Sequence, residues 1–248
     1  MSVDIAELKE EALTVFRPRL DRLRAECAPG DFPWYPYNAL NNLVWLDALL
    51  TGSNRDIFGL TPRRFVADVG AADGDLGFFL ESLGMRVDVV DHGATNGNGL
   101  QGARRLQAAL KSKVSVHDID LDSQFQMPRN DYDLVFFLGI LYHLKNPYYA
   151  LEALRRCTRR CVVSTRIARY AGRPRTSLEK LPVAYLLEER EANNDPTNYW
   201  IFSETGLLRL FARTGWVVSD FLTVGDTSDS DPSSEEHDER AFCLLSQP

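Results

Sequence analysis

Apolar positions alternate between helical and strand spacing along the chain, and each switch marks a predicted element. Ile5, Leu8, Ala12, Phe16, Leu20 and Leu23 recur at helical spacing and predict a helix over residues 4–27, kinked or divided by Pro18. A Pro-aromatic stretch, Phe32-Pro33-Trp34-Tyr35-Pro36-Tyr37, leads into a second helix marked by Leu40, Leu43, Val44, Leu46, Leu49 and Leu50. Residues 64–69 then read as a buried strand, 70–74 as a glycine-bearing turn, and Leu76, Phe78, Phe79 and Leu83 as a helix stopped by Gly84. A second strand over 85–90 ends on Asp91.

The second half repeats the alternation. Residues 114–116 form a short β-branched strand, and 131–139 are a near-continuous apolar run, the pattern of a strand covered on both faces by helices. Asn146 and Pro147 start a helix reaching Arg159, and 161–165 form a fifth strand. From 167 to 200 the periodicity breaks down around one apolar patch, 181–187, which predicts a lid or acceptor-binding insertion. Ser203-Glu204-Thr205 opens a helix closed by Gly215, and 216–224 with 240–245 read as two paired final strands. No internal repeat is visible.

The order strand, glycine turn, helix, strand, carboxylate is that of a nucleoside-binding half-sheet. Asp91 lies 23 positions after Asp68 (91 − 68), near the roughly 20-residue offset at which an acidic side chain meets ribose hydroxyls. A ribose-containing cofactor is expected. A dinucleotide loop of the form G-x-G-x-x-G fits poorly, because Ala72 and Asp75 stand where glycines are required. The loop is also acidic, with Asp68, Asp73 and Asp75, which repels a pyrophosphate and favours a donor carrying ammonium and sulfonium groups.

Asp68-Val69-Gly70-Ala71-Ala72-Asp73-Gly74 resembles the first motif of class I S-adenosylmethionine-dependent methyltransferases. The segment Leu138-Gly139-Ile140-Leu141-Tyr142-His143-Leu144, with Asn146-Pro147, resembles the tRNA wobble-uridine methyl- and carboxymethyltransferase group. The likeness covers roughly residues 65–245. It implies an α/β fold with a Rossmann-like, seven-stranded, mostly parallel sheet, one antiparallel strand, and helices on both faces. The expected organisation is an N-terminal helical cap over 1–60 and a donor-binding domain over 61–248 with the 167–200 insertion. The resemblance assigns the donor to Asp68, Gly70, Ala72, Gly74, Asp91, His92, Asp118, Ile119, Leu138 and Gly139. Among these, Asp91 accepts from the ribose hydroxyls and Asp118 meets the adenine amino group, with Asp120 as the alternative. Ala72 departs from the usual glycine and places a methyl group where the donor passes. His143 is the candidate base or a brace for the loop at the methionine end, and Tyr142 packs beside it. Trp34, Tyr35, Tyr37 and Arg166 are candidate acceptor contacts.

Composition narrows the class. The 248 residues are 44% hydrophobic and 25% charged, which fits one large α/β domain with a modest addition. Residues 1–11 are acidic and helical in pattern, so no secretory leader is expected, and no apolar run approaches about 18 residues, so no membrane span and a cytoplasmic location are expected. Cys27, Cys157, Cys161 and Cys243 lack disulfide or zinc spacing, so reduced thiols and no metal site are expected.

The net charge of −7 resides in residues 226–239, whose seven carboxylates reduce 35 acidic residues to 28, against 28 basic ones. That segment reads as a solvated hairpin loop favouring disorder. Opposing it, Arg155, Arg156, Arg159, Arg160, Arg166, Arg169, Arg173 and Arg175 form a basic run suited either to phosphates or to solvent. Three readings follow. The first is a methyltransferase for a small-molecule acceptor using S-adenosylmethionine. The second is a tRNA wobble-uridine modifier, with carboxy-S-adenosylmethionine as the less favoured donor. The third is a non-catalytic donor-binding subunit. The acceptor and the oligomeric state are not legible.

Overall fold

Among the described residues, seven helical segments precede the first strand, and the apolar stripes read above supply the buried Leu8, Leu20, Leu43 and Leu46. In the computed structural model, residues 3–27, 30–172, 174–233 and 236–248 are described. Met1, Arg173 of the basic run and Glu235 of the acidic segment lie outside the described residues. The chain falls into two units, Met1–Phe136 and Phe137–Pro248.

In the first unit, α1 (Ile5–Glu11) passes through a π-helical stretch, Ala12–Phe16, into α2 (Arg17–Cys27). The expected division near Pro18 takes the form of this π-helical stretch. The Arg17 N–H reaches back to the Ala12 carbonyl, one residue further than in an α-helix, immediately before the proline. This wider turn accommodates a ring that would otherwise clash with the carbonyl four residues earlier. The helices α3 (Asn42–Leu49) and α4 (Ile57–Leu60) follow, then β1 (Phe65–Val69), α5 (Asp75–Ser82), β2 (Arg86–Asp91), α6 (Gln101–Leu110) and β3 (Ser115–Asp118). Both β1 and β3 run parallel to β2. Helix α5 lies close against β2: a methyl group on Gly77 would come within 2.5 Å of Val89 Cγ2. Helix α6 was not foreseen, although Leu100, Ala103 and Leu106, all buried, give it an apolar face.

Strand β4 (Leu134–Leu138) contains the division between the units, and Leu134 through Phe137 are all 1% exposed or less, as its unbroken apolar run requires. It is shorter than the run read from sequence, because Asp133 turns its carboxylate back to the Arg63 backbone N–H at 2.8 Å.

The second unit comprises α7 (Pro147–Cys157), β5 (Arg160–Ile167), four short strands, α8 (Glu204–Arg213), β10 (Val217–Gly225) and β11 (Glu239–Ser246). Strand β11 is antiparallel to both β5 and β10 and is the expected antiparallel strand of an otherwise mostly parallel α/β sheet. Ser203 caps α8 by accepting from the Gly206 N–H at 2.9 Å, as its sequence signal predicts. The insertion is more ordered than its sequence indicates. It holds β6 (Tyr170–Ala171), β7 (Thr176–Ser177), β8 (Ala184–Leu186) and β9 (Trp200–Phe202), and β9 pairs with β5. Buried Ala168, Leu178, Leu187, Ala192 and Ile201 give it a small core. Among the described residues, no helix is long and apolar enough to cross a membrane.

Candidate functional site

The turn after β1 has the backbone shape its glycines allow. Gly70, Ala72 and Gly74 take φ values of 72°, 53° and 82°. A left-handed alanine costs roughly 1 kcal/mol, and here the Ala72 N–H donates to Asp91 Oδ2 at 2.7 Å. Asp68, at the end of β1, is 5% exposed and accepts from the Gly77 N–H at 3.0 Å. Burial, with Asp91 and Asp75 nearby, pushes its pKa up to about 7.

The acidity of this turn is taken up inside the protein, which corrects the electrostatic argument drawn from sequence. Asp75, 3% exposed, receives Arg24 Nη2 of α2 at 2.5 Å. Asp73, 2% exposed, accepts from the Tyr35 backbone N–H at 2.7 Å and from Asn98 Nδ2 at 2.8 Å. Arg24 also lies over the Trp34 ring, 5.5 Å from its centroid. Burial raises the Asp75 pKa more than the guanidinium lowers it. The N-terminal helices and the Pro-aromatic segment are therefore fastened to the glycine turn by buried charge. Of the three candidate rings, Trp34 is half-buried against Phe32, with centroids 4.6 Å apart. Tyr35 and Tyr37 are 44% and 72% exposed and stack edge to face on each other.

Register places Asp91 opposite Asp118 at the carboxyl ends of β2 and β3. Asp91 is already well engaged: Oδ1 accepts from the His92 N–H at 2.7 Å, and Oδ2 from Ala72 and from Asn96 Nδ2 at 3.1 Å. With about four acceptor positions on a carboxylate, these three contacts leave room for one further donor. Burial raises its pKa. Asp118 is more exposed and accepts from the Gly93 N–H at 2.7 Å. Half-buried His92 begins the same loop, and the Ile119 N–H donates to the Asp91 carbonyl at 2.9 Å. Asp120 folds onto its own turn, through the Asp122 N–H at 2.9 Å and the Ser123 hydroxyl. Arg24, Asn96 and Asn98 were missed from sequence. The Asn96-Gly97-Asn98-Gly99 turn was a readable signal, whereas Arg24 offered none.

In the second unit, Leu138 ends β4 and Gly139 turns with φ 72°, its N–H donating to the Ser164 carbonyl at 3.0 Å. Tyr142 and His143 follow in a short 3-10 turn, with ring centroids 4.1 Å apart. His143 Nδ1 lies 3.1 Å from the Thr197 carbonyl and 3.0 Å from its hydroxyl. Burial lowers the His143 pKa, with Asp195 opposing and Arg240 reinforcing the shift.

The acidic segment forms the expected hairpin loop between β10 and β11, and Arg166, Arg169 and Arg175 of the basic run meet it. Arg169 grips Glu239, itself 0% exposed, through Nη2 at 2.7 Å and Nε at 2.9 Å. Arg175 pairs with Asp229, and Arg166 and Arg240 both pair with Asp238. Ser230, 0% exposed, donates to Glu239 at 2.6 Å and anchors the loop. Three of the arginines that suggested phosphate contacts, Arg166, Arg169 and Arg175, are thus partnered within the unit, whereas Arg155, Arg156 and Arg159 are exposed. Arg166 is 2% exposed, and its Nη1 has no hydrogen-bond partner among the described residues. Arg240 lies 5.7 Å from the Tyr142 ring centroid.

All four cysteines are free. Burial raises the Cys157 thiol pKa to about 12.

Similar solved structures settle the fold. The N-terminal domain of EvdMO1 with S-adenosylhomocysteine bound matches with a TM-score of 0.58 at 14% identity, over 95% of this chain and 98% of that one. An S-adenosylmethionine-dependent methyltransferase from Mesorhizobium loti matches with 0.55 at 13%, over 74% and 90%. The fold is that of S-adenosylmethionine-dependent methyltransferases. The 1,6-didemethyltoxoflavin-N1-methyltransferase of Burkholderia thailandensis, holding its namesake compound and S-adenosylhomocysteine, gives 0.51 at 18%, over 73% and 70%. No protein-family model matches the chain, and no curated protein matches its sequence.

Proposed function

We propose that the protein transfers a methyl group from S-adenosylmethionine to a small-molecule acceptor. The observation that carries this reading is the pairing of Asp91 with Asp118 at neighbouring strand ends, beside a left-handed Gly70–Gly74 turn, within this fold. A sugar and its base need such acceptors one strand apart. Asp91 has acceptor room for one ribose hydroxyl, fewer than the two its sequence position implies. Asp118 serves the adenine amino group, with Ile119 and His92 framing that pocket. The turn's backbone at Gly70, Ala72 and Gly74 faces the donor, and Asp68 braces the turn through Gly77. When bound, the donor supplies an electrophilic methyl carbon on a cationic sulfur, so the protein's work is alignment and exclusion of water. In the second unit, Leu138 and Gly139 lend backbone contacts, Tyr142 packs beside them, and His143 accepts a proton from the acceptor.

A small acceptor is favoured over tRNA because Arg166, Arg169 and Arg175, three of the arginines that could hold phosphates, are bound to the 226–239 loop. Two similar structures support the same side: one contains 1,6-didemethyltoxoflavin and another was obtained in the presence of D-fucose. The exposed Tyr35 and Tyr37 rings and half-buried Trp34 are its aromatic contacts. The carboxymethyl alternative keeps one specific support: the buried Arg166 Nη1 and the Arg240–Tyr142 contact suit an additional carboxylate.

Calorimetric titration with S-adenosylmethionine, its carboxy analogue, S-adenosylhomocysteine and NAD tests the reading. Asp91→Ala is expected to weaken S-adenosylmethionine binding by about 1.5–3 kcal/mol, the scale of a hydrogen bond involving a charged group. Equal affinity in the variant removes Asp91 from the site, and a preference for NAD removes the methyl donor.

A further inference from the structure

We propose that Asp195 and Thr197, both in the insertion, are positioning residues that hold His143 with its proton on Nδ1 and its Nε2 bare. The argument is one of hydrogen bookkeeping. A backbone carbonyl has no hydrogen to give, so the Thr197 carbonyl, 3.1 Å from Nδ1, can only accept. The Thr197 hydroxyl, 3.0 Å from Nδ1, has one hydrogen and directs it to Asp195 Oδ1 at 2.7 Å. It too can only accept from the ring. Asp195 Oδ1 also receives the Thr197 backbone N–H at 2.8 Å, which closes Asp195-Pro196-Thr197 into a rigid turn. A second tie, Tyr199 N–H to the Tyr142 carbonyl at 2.8 Å, binds this stretch to the His143 turn.

The charged and titratable neighbours are Asp195 from the insertion, Arg240 from β11 and Tyr142 stacked on the ring. Burial and Arg240 together outweigh Asp195 and keep the imidazole neutral at physiological pH. A neutral ring locked this way has one function left at Nε2, namely to accept a proton. This has a consequence for the acceptor, which rests on the methyltransferase reading. The acceptor's nucleophile is an O–H or N–H group whose proton passes to Nε2. The resulting imidazolium keeps donating through Nδ1 to Thr197 and releases the extra proton to water.

Nitrogen-15 NMR of histidine-labelled full-length protein, with His143→Gln to assign the signal, reads the tautomer directly and without activity. The expected result is a proton on Nδ1 at pH 8 and a His143 titration midpoint below the ordinary range of about 6.5. A proton on Nε2 overturns the proposal. Asp195→Asn and Thr197→Val leave the Thr197 carbonyl to take the Nδ1 proton but loosen the ring, and are expected to shift the pH profile of kcat and to lower kcat about 10- to 100-fold with KM little changed, as for a misaligned group. Thr197→Ser is expected to keep both as in the wild type. Unaltered kcat and pH profile in Asp195→Asn and Thr197→Val also overturn it. Should the locked tautomer be present in protein that binds no S-adenosylmethionine, the positioning assignment stands and the methyltransferase reading falls.

Discussion

Asp68 shows how little a residue's identity reveals before its surroundings are known. In the sequence it is an acid in a strand leading into a nucleoside turn. In the structure it is a buried carboxyl whose pKa is raised from 3.8 to about 7. Its contribution to stability is therefore complete below pH 3.8 and is lost as pH rises through about 7. Asp68→Asn, which keeps an oxygen for the Gly77 N–H, should be more stable than wild type at pH 8 by about 1–3 kcal/mol, with the difference vanishing near pH 4. Urea denaturation at the two pH values measures this, and a pH-independent difference contradicts it. Ala72 offers a second test at the same scale. Its left-handed φ makes Ala72→Gly stabilising by up to about 1 kcal/mol, in the same denaturation assay. Sequence placed Asp68 in the strand and Ala72 in the turn that follows it, as the structure does. It could not supply the burial that sets the pKa of one or the dihedral that strains the other.

At the scale of elements, helix α2 is tied to the glycine turn by Arg24 and Asp75. Removing the cation alone leaves a buried carboxylate exposed to the full desolvation penalty. Arg24→Met is therefore expected to cost about 3–5 kcal/mol, and adding Asp75→Asn should recover much of it. Chemical denaturation of the single and double variants checks this, and additive losses would show that the two residues act independently. The helix, the turn and strand β1 were each legible from periodicity, because apolar spacing depends only on near neighbours. Their fastening was not, because Arg24 and Asp75 stand 51 positions apart and nothing local couples them. Helix α6 was missed for a different reason. Its buried face is Leu100, Ala103 and Leu106, small and short enough to be hidden among the glycines before it.

Across the second unit, the acidic hairpin loop takes up Arg166, Arg169 and Arg175 of the arginine run. Binding of tRNA should therefore be weak even at low ionic strength, and a steep salt dependence in a titration would contradict the small-acceptor reading. Glu239→Gln, which leaves Arg169 with a neutral partner, is expected to lower stability by about 1–3 kcal/mol and to raise proteolytic cleavage of the 226–238 loop. The contribution of His143 runs opposite to that of Asp68. Its folded pKa is depressed, so unfolded chains bind the proton first, and the His143 contribution falls as pH drops below about 6.5. His143→Gln should flatten that part of the profile.

The sequence by itself determined the order of the main strands and of every helix beside them except α6, the fold class and the places where carboxylates meet strand ends. Those properties follow from the period of apolar residues and from glycine at turns, which act within a few positions. Only the tertiary structure decided which charges are available. Asp73, Asp75, Glu239 and three arginines of the basic run, Arg166, Arg169 and Arg175, read as open charge in one dimension, and each is closed by a partner brought from tens of residues away. Burial then sets the price of ionisation, and that depends on neighbours the local pattern does not contain.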